Sequence, residues 1–261
     1  MIISLANQKG GVGKTTTCIN LAAALAEKKK KILVIDLDPQ GNTSTGFGID
    51  KQSLETGIYD VLVNELPIQD ALQKEIRGNI DICPTNINLA GAVIELVDWE
   101  EREYVLKKAL EAVKDDYDIV MIDCPPSLNL LSLNALCASD GVLIPVQSEF
   151  YALEGLSQLL QTISAVRETY NPELSIFAAL ITLVDSRTQL SKQVSEEIRN
   201  FLGDKVFKTV IPRNVRLSEA PSHGKTIFEY ERWSSGARAY KNVAKEFIHK
   251  MEKIEAQKEE E

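Results

Sequence analysis

Lys9-Gly10-Gly11-Val12-Gly13-Lys14-Thr15-Thr16 sets two cations, three glycines and two hydroxyls in eight consecutive positions, after one apolar run and before a helical one. That order suits phosphate chemistry. Glycines permit backbone dihedrals that side chains forbid, so successive N–H groups can converge on phosphate oxygens. The helix that follows adds the partial positive charge of its N-terminus. Lys14 is placed to reach the β- and γ-phosphates, and the Thr15 hydroxyl to ligate magnesium. The expected ligands are therefore ATP and Mg2+, contacted by Lys9, Gly10, Gly11, Val12, Gly13, Lys14, Thr15 and Thr16.

Two acidic positions extend this chemistry. Asp123 ends the apolar run IVMID, where a carboxylate can hold the magnesium shell directly or through water. Asp36 and Asp38 lie in Asp36-Leu37-Asp38-Pro39-Gln40-Gly41-Asn42. Strand alternation puts both on one side of the backbone, opposite Leu37. One of them, Asp36, can cap a turn, as aspartates commonly do, and the residues alone do not say which of the two acts on water.

The surrounding elements must hold these groups at one edge of a sheet. Strands are expected over Met1–Ala6, Ile32–Asp36, Ile80–Pro84, Asp118–Asp123, Val142–Val146, Ile176–Leu183 and Val206–Ile211. Runs such as IVMID and GVLIPV are almost continuously apolar, the pattern of parallel strands covered on both faces. Helices are expected over Lys14–Lys28, Trp99–Val113, Leu153–Tyr170, Gln189–Leu202 and Gly236–Lys253. The alternation, with no Gly/Ser-rich linker, indicates an α/β fold: one doubly wound, mostly parallel sheet flanked by helices. The domain is expected to span residues 1–254, followed by an acidic, solvated tail at 255–261.

Composition narrows the class. Hydrophobic residues make up 44% and charged residues 26% of the 261, as in a globular protein with a real core. Cys18, Cys83, Cys124 and Cys137 show no C-x-x-C spacing, which favours buried thiols over a disulfide framework or structural zinc. Neither a basic n-region nor an apolar run of about 18–20 residues is present, so a cytoplasmic protein is expected. His223 and His249 have no partner at a catalytic or metal spacing, and Trp99 and Trp233 are expected to be packing residues.

The loop departs from the general G-x-x-x-x-G-K-[ST] pattern: position 8 is Gln8, and a second lysine, Lys9, stands inside the loop. That K-G-G-x-G-K-[ST] form resembles the deviant Walker A motif of the ParA/MinD class of ATPases. The segments DLDPQGNTSTGFGI, YDIVMIDCPPSLNLLSLNAL and VIPRNVRLSEAPSHGK resemble the chromosome-type ParA, or Soj, members in particular. The resemblance implies an ATP-driven DNA-partitioning protein, nucleoid-associated in the cytoplasm, that pairs into a homodimer around two nucleotides. It implies that Lys9 crosses to the partner's phosphates, that Asp38 orients the attacking water, and that Lys14 completes the catalytic set. Pro212 and Asn214, on either side of Arg213, are implied to contact the adenine. Arg187 and Arg216 are implied to contact non-specific double-stranded DNA, and a ParB-type centromere-binding protein is the implied stimulating partner.

Charge counting agrees with a DNA face. From Asp185 to Lys225 there are eight Lys/Arg and five Asp/Glu, a net +3, which leaves −12 on the rest of a chain of net charge −9. A basic zone on an acidic body is the footprint of phosphate contact. Stable membrane binding, the alternative within the same class, is not expected, because the last helix runs into Glu259-Glu260-Glu261 and anionic lipid repels such charges. An iron–sulfur role would rest on Cys124 and Cys137 alone.

Overall fold

A computed structural model describes residues 1–149 and 152–260, and the side chains of 258–260 are outside that description. The described elements run β1 Ile2–Leu5, α1 Lys14–Ala26, β2 Ile32–Asp36, α2 Asn42–Gly46, α3 Ile58–Val63, β3 Ile80–Cys83, α4 Leu89–Glu95, α5 Val105–Leu110, β4 Ile119–Asp123, α6 Leu130–Ala138, β5 Gly141–Gln147, α7 Ala152–Thr169, β6 Ser175–Thr182, α8 Gln189–Leu202, α9 Val215–Glu219, α10 Ile227–Tyr230 and α11 Ser235–Glu260.

The six strands form one all-parallel sheet in the order β3-β2-β4-β1-β5-β6. Side-chain alternation divides its apolar residues between two cores. Leu33, Ile35, Val120 and Ile122 face the layer that contains α3 to α8, whereas Ile32, Val34, Ile119 and Met121 face α1 and α11. Burial on both faces accounts for the unbroken apolar runs in the sequence. α1 is enclosed almost all round because it lies between the sheet and α11, and its Thr17 hydroxyl meets the buried Tyr240 hydroxyl at 3.1 Å.

Register positions the chemistry. β1 sits between β4 and β5, and Leu5, its last residue, pairs with Asp123. Asp36, the last residue of β2, pairs with Asp123 from the other side. The chain thus leaves β1 for the glycine-rich loop beside two carboxylates at the C-terminal edge, the place where ligands bind in doubly wound sheets.

Two expected elements differ, each because of a partner distant in sequence. Val206–Ile211 is not a strand. It touches β6 through Phe207 N–H to Ala179 O and Ile211 N–H to Ile181 O, with isolated bridges at Val206 and Pro212. Between those points the N–H groups of Lys208 and Thr209 donate to the Glu246 carboxylate of α11, at 2.6 and 2.9 Å, so the ladder cannot close. Trp99–Val113 is not one helix: Glu101 takes a φ of 54°, a 3-10 turn occupies Arg102–Tyr104, and α5 starts at Val105. Asn134 holds that break, donating to Arg102 O at 2.8 Å and accepting from Leu106 N–H at 3.1 Å. At the other end of the chain, helix α11 continues through 255–260, and residues 255–257 of the segment expected to be a solvated tail are exposed.

Trp233 is 82% exposed, so it is not the packing residue expected of it, whereas Trp99 is half-buried against the larger core. His223 stacks on Tyr230 with ring centroids 5.1 Å apart. All four cysteines are free and buried. Among the described residues no helix is long and apolar enough to cross a membrane.

Candidate nucleotide-binding site

The loop after β1 is shaped from both flanks. On one side Asn7 donates to Pro145 O at 2.7 Å and accepts the Lys9 N–H at 3.0 Å. On the other, the buried Thr182 hydroxyl donates to Val12 O at 2.8 Å. Gly13 closes the loop at φ 88°, a left-handed conformation open to glycine at little cost, and its carbonyl accepts the Thr17 N–H to begin α1. A Cβ added at Gly10 or Gly11 would meet nothing within 4 Å, so the rim of the loop opens outward.

Lys14 is buried, and its ammonium donates back across the loop to Asn7 O at 3.0 Å and Lys9 O at 3.1 Å. Burial pushes its pKa down, and the charge of Asp123 opposes that shift. A group of phosphates brought into the loop would supply the anionic partner that this cation lacks in quantity. Two of its three N–H donors are engaged, which leaves one for a ligand. Lys9 is half-buried and lies along α7, so closely that a Cβ at Gly155 would come within 2.9 Å of Lys9 Cε. Thr16 is half-buried in α1, its carbonyl accepting from Asn20.

Thr15 and the acidic residues meet at the sheet edge. Asp123 is fully buried; its Oδ2 accepts the Thr15 hydroxyl at 2.7 Å and the Thr43 hydroxyl at 2.7 Å. Its Oδ1 is buried without a hydrogen-bond partner. Asp36 is also fully buried, with Oδ2 accepting the N–H and the hydroxyl of Ser44, both at 2.7 Å. Burial raises both carboxyls, Asp36 to about 7 and Asp123 to about 6, and Asp123 adds to the shift on Asp36. Ser44 counters the shift on Asp36, while Thr43, Thr15 and then Lys14 counter that on Asp123. Asp38 sits at the end of the same segment with 8% exposure, its Oδ1 accepting only the Gln40 N–H, at 3.0 Å, among the described contacts. The two aspartates that the sequence left interchangeable are thus different in kind: Asp36 is committed to Ser44, and Asp38 keeps accepting capacity at the rim.

These groups fit magnesium. The ion takes oxygen ligands, keeps several waters, and is usually bound through one or two carboxylates plus substrate phosphates. Thr15 Oγ1 and the orphaned Asp123 Oδ1 are oxygens of that kind. No cluster of three His, Cys, Asp or Glu is present among the described residues, and a phosphate-assisted site needs none.

The segment from Val184 to Arg213 closes one side of the site. Val184 N–H donates to Ile211 O and Arg213 N–H to Val184 O, both at 3.0 Å, next to the Thr182 that holds the loop. This pairing sets Pro212 opposite Val184, two residues after Thr182. Asn214 caps α9, its Oδ1 accepting the Arg216 N–H and its Nδ2 donating to Ser235 Oγ, both at 2.8 Å. One amide N–H and one carbonyl lone pair remain on that side chain. Arg187 and Arg216 each lie shortly beyond the Val184–Arg213 pairing in sequence, and both are exposed. Each is held by a carboxylate: Arg187 by Asp185 through Nε at 2.9 Å and Nη2 at 2.7 Å, and Arg216 by Glu219 at 2.8 Å. The hydrogen-bonded Arg187 holds the Asp185 carboxyl well below the usual range. Arg213 lies 3.7 Å from Glu149, and Arg199 donates to Phe207 O and Lys208 O. The basic zone counted in the sequence is therefore partly neutralised within the chain.

Sequence reasoning missed Asn7, Thr43, Ser44 and Thr182. The hydroxyls of the NTST run after Gly41 carry no signal until the fold sets them beside Asp36 and Asp123.

Known proteins with this arrangement are plentiful. The protein family described as an AAA domain matches residues 1–176. The chain is 56% identical over 245 residues to the sporulation initiation inhibitor protein Soj of Bacillus subtilis, covering 94% of this chain and 97% of that one. It is 49% identical over 249 residues to the chromosome partitioning protein ParA of Caulobacter vibrioides, with 95% and 93% covered. Among solved structures, the cobyrinic acid a,c-diamide synthase of Mycobacterium smegmatis with bound ADP and magnesium superposes with a TM-score of 0.84 at 37% identity, covering 96% of this chain and 95% of that one. On these grounds the chain belongs to the ParA/Soj family of chromosome-partitioning P-loop ATPases.

Proposed function

We propose that the protein hydrolyses ATP with magnesium to switch between a DNA-bound dimer and a free form, and that a ParB-type partner triggers the reset. The observation that carries this reading is the meeting of Lys14, Thr15, Asp38 and Asp123 at the ends of β1, β2 and β4. ATP enters with its β- and γ-phosphates against the loop N–H groups and the Lys14 ammonium, while Pro212 and Asn214 flank the adenine. Thr15 and Asp123 would hold magnesium, which when bound would supply positive charge against that developing on the phosphate oxygens. Asp38 orients a water for attack on the γ-phosphorus. As the water oxygen bonds to the γ-phosphorus, the bond from that phosphorus to the β–γ bridging oxygen breaks, ADP leaves with the freed electron pair, and the water's protons pass to the released inorganic phosphate and to bulk water.

Lys9 acts in trans. In the isolated chain its side chain lies along α7 of its own subunit, beside Gly155, and dimerisation transfers the ammonium to the partner's phosphates, in the manner of a cation supplied across an interface. Residues 1–254 form the ATPase domain, with 255–261 as its acidic extension. The protein works in the cytoplasm at the nucleoid and makes no stable membrane contact.

Arg187 and Arg216 form the DNA face. In the isolated chain each shares its charge with Asp185 or Glu219. Exposed pairs of this kind are typically worth less than ~1 kcal/mol, so a DNA phosphate can displace the carboxylate. Two subunits on one duplex double the contacts and make weak encounters multivalent. Arg187→Glu is expected to weaken binding to all sequences alike while ATP-dependent dimerisation persists. Each lost phosphate contact should flatten the slope of log affinity against log salt by about 0.9. Fluorescence anisotropy across a salt series checks this, and a mutant that keeps the parental slope would remove Arg187 from the interface.

A further inference from the structure

Thr43 stands in the first turn of α2, outside the phosphate-binding loop, yet its hydroxyl donates to Asp123 Oδ2 at 2.7 Å. Thr15 donates to that same oxygen at 2.7 Å. Thr43 and Asp123 are both fully buried, so water does not compete for either group. A hydroxyl near a helix N-terminus more often bonds to nearby backbone or faces solvent. This one instead spans from the segment that carries Asp38 to the end of β4.

The consequence for Asp123 is geometric. Rotation of the carboxylate about its Cβ–Cγ bond would break both hydroxyl contacts, so the pair of donors fixes the plane of the group. With Oδ2 serving Thr15 and Thr43, Oδ1 is the oxygen left buried and unpaired. The neighbouring Ser44 does similar work on Asp36 and also accepts the Thr85 N–H at 3.0 Å. Consecutive hydroxyls thus fasten the Asp38 segment to the acids that end β2 and β4.

We propose that Thr43 is a positioning residue for magnesium–nucleotide binding: together with Thr15 it holds Asp123 in the rotation that keeps Oδ1 unpaired for the metal shell. The proposal rests on the reading that Asp123 serves a magnesium–nucleotide complex. Groups that orient a metal-binding carboxylate commonly matter nearly as much as the carboxylate itself. Thr43 also shares its segment with Asp38, so one bond sets the metal side and the water side of the site together.

The test uses ADP, which does not turn over, and isothermal titration of the full chain with and without magnesium. Thr43→Val keeps the shape and removes the donor, whereas Thr43→Ser keeps the donor. Valine is expected to weaken magnesium binding to the ADP complex by about 10- to 100-fold, the range usual for lost outer partners of a metal ligand. Magnesium-free ADP binding should be unchanged, and serine should restore the magnesium effect. A loss below about tenfold for valine would overturn the proposal. So would an equal loss of magnesium-free ADP binding, which marks a distorted loop, or a failure of serine to rescue. Should the valine protein not fold, Thr43→Cys supplies the same comparison with a weak donor of similar size. If the parent protein shows no magnesium effect on ADP at all, the functional reading fails rather than the role of Thr43.

Discussion

Replacing Lys14 with alanine should abolish the rise in melting temperature that saturating ATP and magnesium give the parent protein. A ligand at a hundredfold excess over its dissociation constant stabilises the native state by about 2.7 kcal/mol. For a chain of this size that corresponds to roughly 5–10 °C. Lys14 is the buried cation of the loop, and its ammonium already draws two loop carbonyls together. Alanine removes that brace and the charge meant for the phosphates, and leaves Asp123 without the cation that opposes its upward shift. Three losses therefore act on one ligand. The alanine protein is compared with itself, with and without nucleotide, so a lower starting temperature does not affect the outcome. Differential scanning fluorimetry reads the shift, and a mutant with an undiminished ATP response would remove Lys14 from the phosphate site.

Asp38→Ala should divide binding from turnover. Asp38 stands apart from the contacts that build the site: Lys14 is braced by backbone carbonyls, and Asp123 by Thr15 and Thr43. Alanine at 38 should leave that cradle intact while it deletes the acceptor proposed to orient water. A positioned acid–base group commonly contributes about 10²–10⁴-fold to a rate, so phosphate release should fall by that order. The ATP-bound dimer should then accumulate on size-exclusion chromatography, because the step that resets it is blocked. Lys9→Ala should show the opposite profile, with nucleotide bound and the dimer lost. Parental phosphate release by Asp38→Ala would assign water activation elsewhere.

What the sequence disclosed follows from how far each interaction reaches. Gly13, Lys14 and Thr15 were legible because their chemistry is contiguous: a turn, a cation and a hydroxyl in consecutive positions. Asp123 was legible because the strand before it is apolar to its last residue. Thr43 and Thr182 were not, since they act on Asp123 and Val12 across long sequence separations that only the sheet order closes. The same limit explains the elements that differ. Val206–Ile211 has strand chemistry, but Glu246 of a distant helix takes two of its N–H groups. The break near Arg102 depends on Asn134. Asp36 and Asp38 look alike in sequence and separate only when Ser44 is seen to occupy one of them. Charge counting located a basic segment but could not show that Asp185 and Glu219 hold its two chief arginines.

The central claim is that the nucleotide state governs DNA affinity. Neither arginine of the proposed DNA face belongs to the phosphate-binding loop, and each is paired within its own chain. An isolated subunit of net charge −9 should therefore approach DNA poorly. On the proposed function, pairing of two subunits around ATP would bring four such arginines to one duplex. The direct measurement is the binding of the unmodified protein to a random-sequence duplex, at one fixed salt concentration, with magnesium and ATP, with magnesium and ADP, and without nucleotide. The account predicts tight, sequence-independent binding with ATP and weak binding in the other two conditions. Equal affinity in all three would contradict it.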